Sequence, residues 1–290
     1  MATPTSVDDL APGAHACLTF SDSEERLDIL SAFVGNGLDQ GQKVVCYTES
    51  IPPDVLPDEL VDRGISLAEP LRTGQLQVHT GAEWMLTGGV FRAARAVERL
   101  RTELVAARDE GYSGLRISFD QCWATRPVAG VEQLLVFESQ VNDLIASAGI
   151  TAICQYDRAV FDPVTLAAVT QAHRAVVAAT IYHEDPVLRI CRQLRPPGIR
   201  VAGEIDYTRA DVLSHALGEA VRLDRDVYVN LRQLRFIDVA AATVLLHAAM
   251  GLPVDRQMTV VCAEAVAKVI RLVNGSAVPS LRLVVIPGDF

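Results

Sequence analysis

The hydrophobic pattern along the chain switches between runs short enough for strands and stripes spaced for helices. His15–Phe20 (HACLTF) reads as a short alternating strand, and the cluster Ser21-Asp22-Ser23-Glu24-Glu25 reads as a helix start with acids in its first turn. Leu27, Ile29, Leu30, Phe33 and Val34 then supply an apolar helix face that Gly37 and Gly41 punctuate. KVVCY at 43–47 is a strand of buried type. Pro52, Pro53 and Pro57 mark a loop that leads into a short helix over 55–63, and 76–79 is another strand. A long helix is predicted over 90–109, closed by Gly111. After it come a strand ending in an acid over Leu115–Asp120, a helix over 130–148, a strand over 150–156 and an apolar stretch over 173–182. Short apolar strands in β-α-β order predict an α/β domain with a parallel sheet.

The pattern changes after Asp185-Pro186, and Arg195-Pro196-Pro197-Gly198 follows, so the expected domains are 1–185 and 186–290. In the second, strands over 188–194 and 199–202 are joined by the Pro-Pro-Gly turn. Gly203-Glu204-Ile205-Asp206, a helix over Ala210–Leu223 and a strand over 227–229 come next. The strand-to-helix corner Phe236-Ile237-Asp238 then opens a helix over Val239–Met250. A strand over 258–262, a helix over 263–272 and a strand over Leu281–Ile286 finish the chain, which has no internal repeat. At the corner, the Asp238 carboxylate suits the free N–H groups and the positive end of the following helix. Such an exposed helix start can take an anion, a phosphate or a partner.

Composition narrows the function. A length of 290 residues suits two domains, and 50% hydrophobic residues provide cores for both. The net charge of -10, with arginines interspersed among acids, excludes the basic stripe of a nucleic-acid binder. Lys43 and Lys268 are the only lysines, a bias expected of a high-GC genome. The start MATPTSVDDLAPGAH lacks a basic and an apolar segment, and no apolar run reaches the ~20 residues of a membrane span, so a cytoplasmic protein without membrane contact is expected. Cys17, Cys46, Cys122, Cys154, Cys191 and Cys262 form no C-x-x-C and several fall in apolar strands, where reduced structural thiols are expected.

In the second domain, G-E-I-D at 203–206, a helix, a strand and F-I-D-V-A-A-A at 236–242 resemble a STAS domain of the anti-sigma factor antagonists. The resemblance implies a mixed sheet with helices. It also implies docking to an anti-sigma factor or a kinase-like regulatory protein, through Asp206, Asp238, Val239, Ala240 and Ala241. Phosphorylatable members read Asp-Ser-Ser/Thr-Gly at this corner, and phosphorylation of the second hydroxyl residue abolishes binding. Here Ala240 stands at that acceptor position and has no oxygen to modify, so the phosphorylation switch is expected to be lost; Thr243 lies one turn deeper. Mere dimerisation through this domain, giving a homodimeric scaffold, is the alternative.

Four stretches of the first domain, HACLTFSDSEER, GNGLDQGQKVVCY, ICQYDRAVF at 153–161 and HRAVV at 173–177, resemble the MEDS family of sensory domains. That resemblance implies a RecA-like parallel-sheet α/β/α fold related to the KaiC ATPases. A P-loop would place G-x-x-x-x-G-K-[ST] after the first strand. The residues there are Phe20-Ser21-Asp22-Ser23-Glu24-Glu25-Arg26, with no glycine, no lysine and three acids to repel a triphosphate. No enzymatic activity and no cofactor are therefore expected, a degenerate nucleotide-binding module being the alternative. The crevice at the C-terminal ends of the strands remains the expected ligand site, for a small molecule, lined by His15, Ser21, Tyr47, Glu49, Trp84, Asp120 and Tyr156. The resemblance places His15 at the family's recurrent N-terminal histidine. His15, Cys17, Cys46 and Cys154 together suggest zinc, but buried structural cysteines explain them more simply, and no metal is expected.

Overall fold

The alternation of short apolar runs and amphipathic stripes builds two α/β units, Met1–Ala178 and Ala179–Phe290. The computed structural model describes residues 4–273 and 275–287, so the first three residues of the polar leader lie outside the described residues.

The first unit opens with β1 (His15–Phe20), α1 (Ser23–Asp39), β2 (Lys43–Thr48), α2 (Leu56–Val61), α3 (Ala68–Thr73) and β3 (Leu76–Thr80). A short α4 (Gly81–Met85), the hairpin of β4 (Leu86–Thr87) with β5 (Val90–Phe91), and α5 (Ala93–Asp109) follow. It closes with β6 (Leu115–Asp120), α6 (Leu134–Ala148), β7 (Thr151–Asp157), α7 (Pro163–Ala172) and β8 (Ala175–Val176). The sheet runs β3-β2-β6-β7-β1-β8 with every pairing parallel. Helices cover both faces, which is why β2 and β6 are buried along their whole length; β2 reads as a continuous apolar run, whereas in β6 the polar Arg116, Ser118 and Asp120 are buried with partners in Gln42, Gln155 and Arg26. Val45, Tyr47 and Phe119 pack on one face with α5 and α6, while Val44 and Cys46 pack on the other with Leu27 and Leu30 of α1.

Several elements differ from the expected ones, among them the short helices α3 and α4, the start of α5, and α7. The long helix begins at Ala93 rather than at 90, because Val90 and Phe91 pair with Thr87 and Leu86 across Gly88-Gly89. Both glycines have positive φ, +60° and +77°, as a two-residue hairpin turn demands. The helix α7 was not expected. Its local signal is Asp162, whose carboxylate accepts from Val164 N and Thr165 N, followed by Pro163 in the first turn.

The second unit holds β9 (Ile181–Glu184), β10 (Leu188–Gln193), β11 (Gly198–Ile205), α8 (Ala210–Leu223) and β12 (Val227–Leu231). It continues with β13 (Leu234–Ile237), α9 (Val239–Met250), β14 (Met258–Ala263), α10 (Glu264–Leu272) and β15 (Leu281–Ile286). Its sheet is mixed, in the order β15-β14-β12-β11-β10-β9, with β13 beside the second half of β11. The strands β9, β10 and β11 are antiparallel neighbours, and the rest pair parallel. At Gly203, φ is +104° and an added Cβ would lie 2.0 Å from Val187 O, so only glycine fits where β11 passes β10.

The boundary expected at 185/186 moves to 178/179. Asp185-Pro186 is the turn of the β9–β10 hairpin and no linker: the Asp185 carboxylate accepts from Val187 N and Leu188 N, both at 2.8 Å. Tyr182 of β9 packs on the second unit's core.

Candidate functional site

The crevice expected at the strand tips of the first unit is closed at its centre by an ion pair. Arg26, from the first turns of α1, reaches Asp120 at the end of β6 at 2.8 Å, both side chains being sealed from solvent. Its remaining N–H groups donate to Gln155 Oε1 at 2.7 Å and Ser50 Oγ at 2.5 Å, and its guanidinium lies over the Phe20 ring at 4.6 Å. Asp120 also accepts from Ser50 N, Ser50 Oγ, Glu49 N and Cys122 N. Burial alone would raise the Asp120 carboxyl, but the Arg26 charge and the Ser50 and Cys122 hydrogen bonds override it and hold it at about 2. The start of α1 is likewise occupied. Asp22 caps it, accepting from Glu24 N at 2.9 Å and Glu25 N at 3.1 Å.

The seven expected lining residues do not converge on one site, although Tyr47 meets Trp84 and Glu49 N meets Asp120. Glu49 turns to Ala82 N and Arg126, and Ser21 is exposed beside the α1 cap. Tyr47 donates to Glu103 at 3.0 Å and stacks with Phe119 and Trp84 in the core. His15 starts β1, at the opposite end of the strand from the crevice, and Tyr156 is fully buried. The open cleft on the strand-tip side is instead a space of about 460 Å³ between the loops after β6 and β7 and the start of α6. Leu134, Leu135, Val160 and Phe161 give it apolar walls, with Glu132 and Asp162 among its polar groups.

A second constellation lies under the helices, on the face of the sheet shared by His15 and Cys154. The register places His15 opposite Ala152 and Cys17 opposite Cys154, so these four residues face one way. Glu138 of α6 and His173, just after α7, converge on the same point. Side-chain donor atoms of His15, Glu138, Cys154 and His173 all lie within 4.8 Å of one another, and all four residues are buried. Glu138 Oε2 is 3.2 Å from His15 Nε2, 3.3 Å from His173 Nε2 and 3.6 Å from Cys154 Sγ; His15 Nε2 is 3.4 Å from that sulfur. Glu138 Oε1 points elsewhere, accepting from Gln121 Nε2 at 3.1 Å and from the Tyr156 hydroxyl. The other two members of the sequence constellation stay apart. Cys17 faces Thr170 Oγ1 at 3.9 Å, and Cys46 packs on the opposite face of the sheet.

The outer hydrogen bonds set the tautomers. Asn142 spends its amino group on Glu138 O and Ala172 O, so its Oδ1, 3.0 Å from His15 Nδ1, accepts a proton held there. His173 Nδ1 is 2.7 Å from Val169 O, which can only accept. In the neutral rings both Nε2 atoms therefore carry lone pairs toward a carboxylate oxygen. His173 Nε2 makes no hydrogen bond in this buried setting. Burial, only partly offset by Glu138, pushes the His173 imidazole down to about 4. Burial would raise Glu138, yet the two histidines and Tyr156 draw it down to about 2. Burial keeps His173 neutral, with its Nε2 lone pair facing the Glu138 carboxylate. Burial, then Glu138, push the Cys154 thiol well above its ordinary range.

In the second unit, Asp238 ties two loops together. One oxygen caps α9 by accepting from Ala241 N at 2.8 Å, and the other accepts from Tyr207 N at 2.8 Å. Asp206 caps the turn that follows β11, accepting from Thr208 N at 3.0 Å. Around this bridge Tyr207, Phe236 and Val239 are 72%, 50% and 52% exposed, and Ala240 is exposed too. Ala241, expected at the docking surface, is fully buried and packs in the core, so its methyl group cannot meet a partner. Thr243 turns its hydroxyl back onto Val239 O at 2.7 Å.

Glu138 and His173 escaped the sequence reading. For Glu138 a signal existed: it follows Leu134 by four residues and precedes Val141 by three, which puts a carboxylate inside the apolar stripe of α6. No helix among the described residues is long and apolar enough to cross a membrane.

Residues 14–174 match the family described as MEDS, MEthanogen/methylotroph, DcmR Sensory domain. No curated protein matches the chain. Among solved structures, it is similar to the KaiC-like protein PH0186 from Pyrococcus horikoshii OT3, with 13% identity and a TM-score of 0.46 over 68% of this chain and 91% of that one. It is also similar to the flagellar accessory protein FlaH from Methanocaldococcus jannaschii, with 12% identity and a TM-score of 0.45 over 64% of this chain and 80% of that one.

Proposed function

The chain belongs to the MEDS family of sensory domains, and from that premise we propose that it is a non-enzymatic signalling regulator. In this reading the first unit senses a ligand or partner and controls the second, a STAS-type domain that docks an anti-sigma factor or a kinase-like regulator. The observation that carries the reading is the Asp238 bridge. It fixes the Tyr207 loop beside the start of α9 and leaves an apolar exposed rim around Ala240. The mixed sheet, entered through an antiparallel hairpin and continued by parallel strands, is the architecture that a STAS domain requires. Ala240 is exposed where the phosphorylatable domains carry their acceptor, so docking here is independent of phosphorylation.

The cleft beside Leu135 and Phe161 is the place for a small ligand. Its volume suits one, and its apolar walls with Glu132 and Asp162 favour an uncharged or cationic molecule over an anion. A nucleotide-binding role is disfavoured by the same geometry. Asp22 fills the α1 terminus that would meet the phosphates, and Arg26 consumes the Asp120 carboxylate that would meet the magnesium ion.

The test is a binding assay of the full chain against the anti-sigma-factor kinases of its own organism. Binding is expected to disappear with Asp238→Lys and with Ala240→Glu, which places a charge at the exposed acceptor position. If no kinase binds, or if both variants bind as the parent does, docking through this corner is wrong. A self-association that the same variants abolish would instead favour the dimerisation scaffold.

A further inference from the structure

The buried convergence of His15, Glu138, Cys154 and His173 has the make-up of a metal centre, and we propose that these four side chains bind one zinc ion. The proposal is independent of how the second unit acts, and rests on three features of the first.

Four of the six donor-to-donor distances are those of a coordination tetrahedron. With Zn–N and Zn–O near 2.0 Å and Zn–S near 2.3 Å, neighbouring donors of a tetrahedral site lie about 3.3–3.6 Å apart. The four separations around Glu138 Oε2 and His15 Nε2 are 3.2, 3.3, 3.4 and 3.6 Å, and the other two lie within 4.8 Å. The set of two imidazoles, one carboxylate and one thiolate is one that zinc accepts.

The protons are in the right places. Both histidines hold theirs at Nδ1, one facing Asn142 Oδ1 and the other Val169 O, which leaves the Nε2 lone pairs for the ion. Glu138 keeps Oε1 for Gln121 and Tyr156 and presents Oε2. Gln121 is itself oriented by Trp123, whose indole N–H donates to its oxygen at 2.8 Å. Without a cation, the centre would set two nitrogen lone pairs against a carboxylate oxygen out of reach of water, and His173 Nε2 would stay unpartnered.

The charge closes as well. Binding displaces the Cys154 thiol proton to solvent and forms the Zn–S bond; the thiolate and Glu138 then neutralise the dication, so no net charge is buried. All four positions of the ion are taken by protein, which describes a closed centre that clamps β1, β7, α6 and the end of α7, and not an open hydrolytic one. Tyr156 joins it to the ligand cleft. Its hydroxyl holds Glu138, and its ring packs at 5.2 Å on Phe161, a wall of that cleft.

The full chain, purified without an affinity tag of histidines from zinc-replete cells, is analysed for metal, then stripped with a chelator and titrated with Co²⁺. The expected result is one zinc per chain and, on titration, a thiolate-to-cobalt charge-transfer band with the intense visible bands of tetrahedral cobalt. Cys154→Ser is expected to abolish the charge-transfer band, and His173→Ala to lower the bound metal to a small fraction of one. Asn142→Ala leaves all four ligands in place and is expected to weaken zinc binding about 10- to 100-fold. If the ligand variants fail to fold, the parent's cobalt spectrum and the Asn142→Ala affinity decide the matter. A parent chain that carries no stoichiometric metal and gives no charge-transfer band overturns the proposal. So does a Cys154→Ser variant with an unchanged spectrum.

Discussion

Arg26 and Asp120 meet at 2.8 Å with both side chains cut off from solvent, at the strand tips where a parallel α/β sheet ordinarily leaves its ligand crevice. The pair is held by a full set of hydrogen bonds, from Ser50, Glu49 and Cys122 to the carboxylate and from the guanidinium to Gln155. The strand-tip position is here filled by a structural plug.

Removing one partner leaves the other buried and uncompensated. Arg26→Ala is therefore expected to destabilise the first unit by about 3–5 kcal/mol, and the double change Arg26→Met with Asp120→Leu by clearly less. Urea denaturation of the three proteins checks this. A cost below about 1 kcal/mol for Arg26→Ala would mean that the plug is open to water.

Acid should act through the same residue. The Asp120 carboxyl lies at about 2 in the folded protein against an ordinary 3.8. A depressed folded value gives a contribution fully present above the ordinary value and lost as pH falls from about 4 through about 2. Its size is about 2 kcal/mol. Across that window the parent should lose more stability than Asp120→Asn; equal slopes would discard the assignment.

Magnesium ATP is expected to give no binding heat with the full chain, because the Asp22 carboxylate already occupies the α1 terminus and Arg26 holds Asp120. Micromolar binding measured by titration calorimetry would revive the nucleotide-sensing alternative.

Asp238→Ala deprives both Tyr207 N and Ala241 N of their acceptor. The expected cost is about 1–2 kcal/mol, confined to the second unit, with faster amide exchange at those two positions. Unchanged exchange at Tyr207 would show that the loop does not depend on the bridge.

Sequence by itself determined what depends on near neighbours. The helix over Val239–Met250 was legible to its ends because Asp238 is its cap and its apolar residues start at once. The buried strand β2 was legible because two-sided burial leaves an unbroken apolar run, and β6 was legible as a short strand ending in Asp120. Asp185-Pro186 misled, since a turn inside a hairpin and a linker between domains use the same residues; only the β9–β10 pairing tells them apart. The candidate ligand residues were named one strand end at a time. Tertiary packing alone decided that Asp120 is spent on Arg26, that Tyr47 is stacked in the core, and that the cleft is walled by Leu135 and Phe161. The centre at His15, Glu138, Cys154 and His173 is the extreme case. Its members are scattered along the chain: the sequence could put His15 and Cys154 in one candidate set and Glu138 in the apolar stripe of α6, but not bring them together with His173. They meet because β1 lies in parallel register beside β7 while α6 and the end of α7 close over that face, an arrangement set by long-range pairing and packing and written in no local pattern.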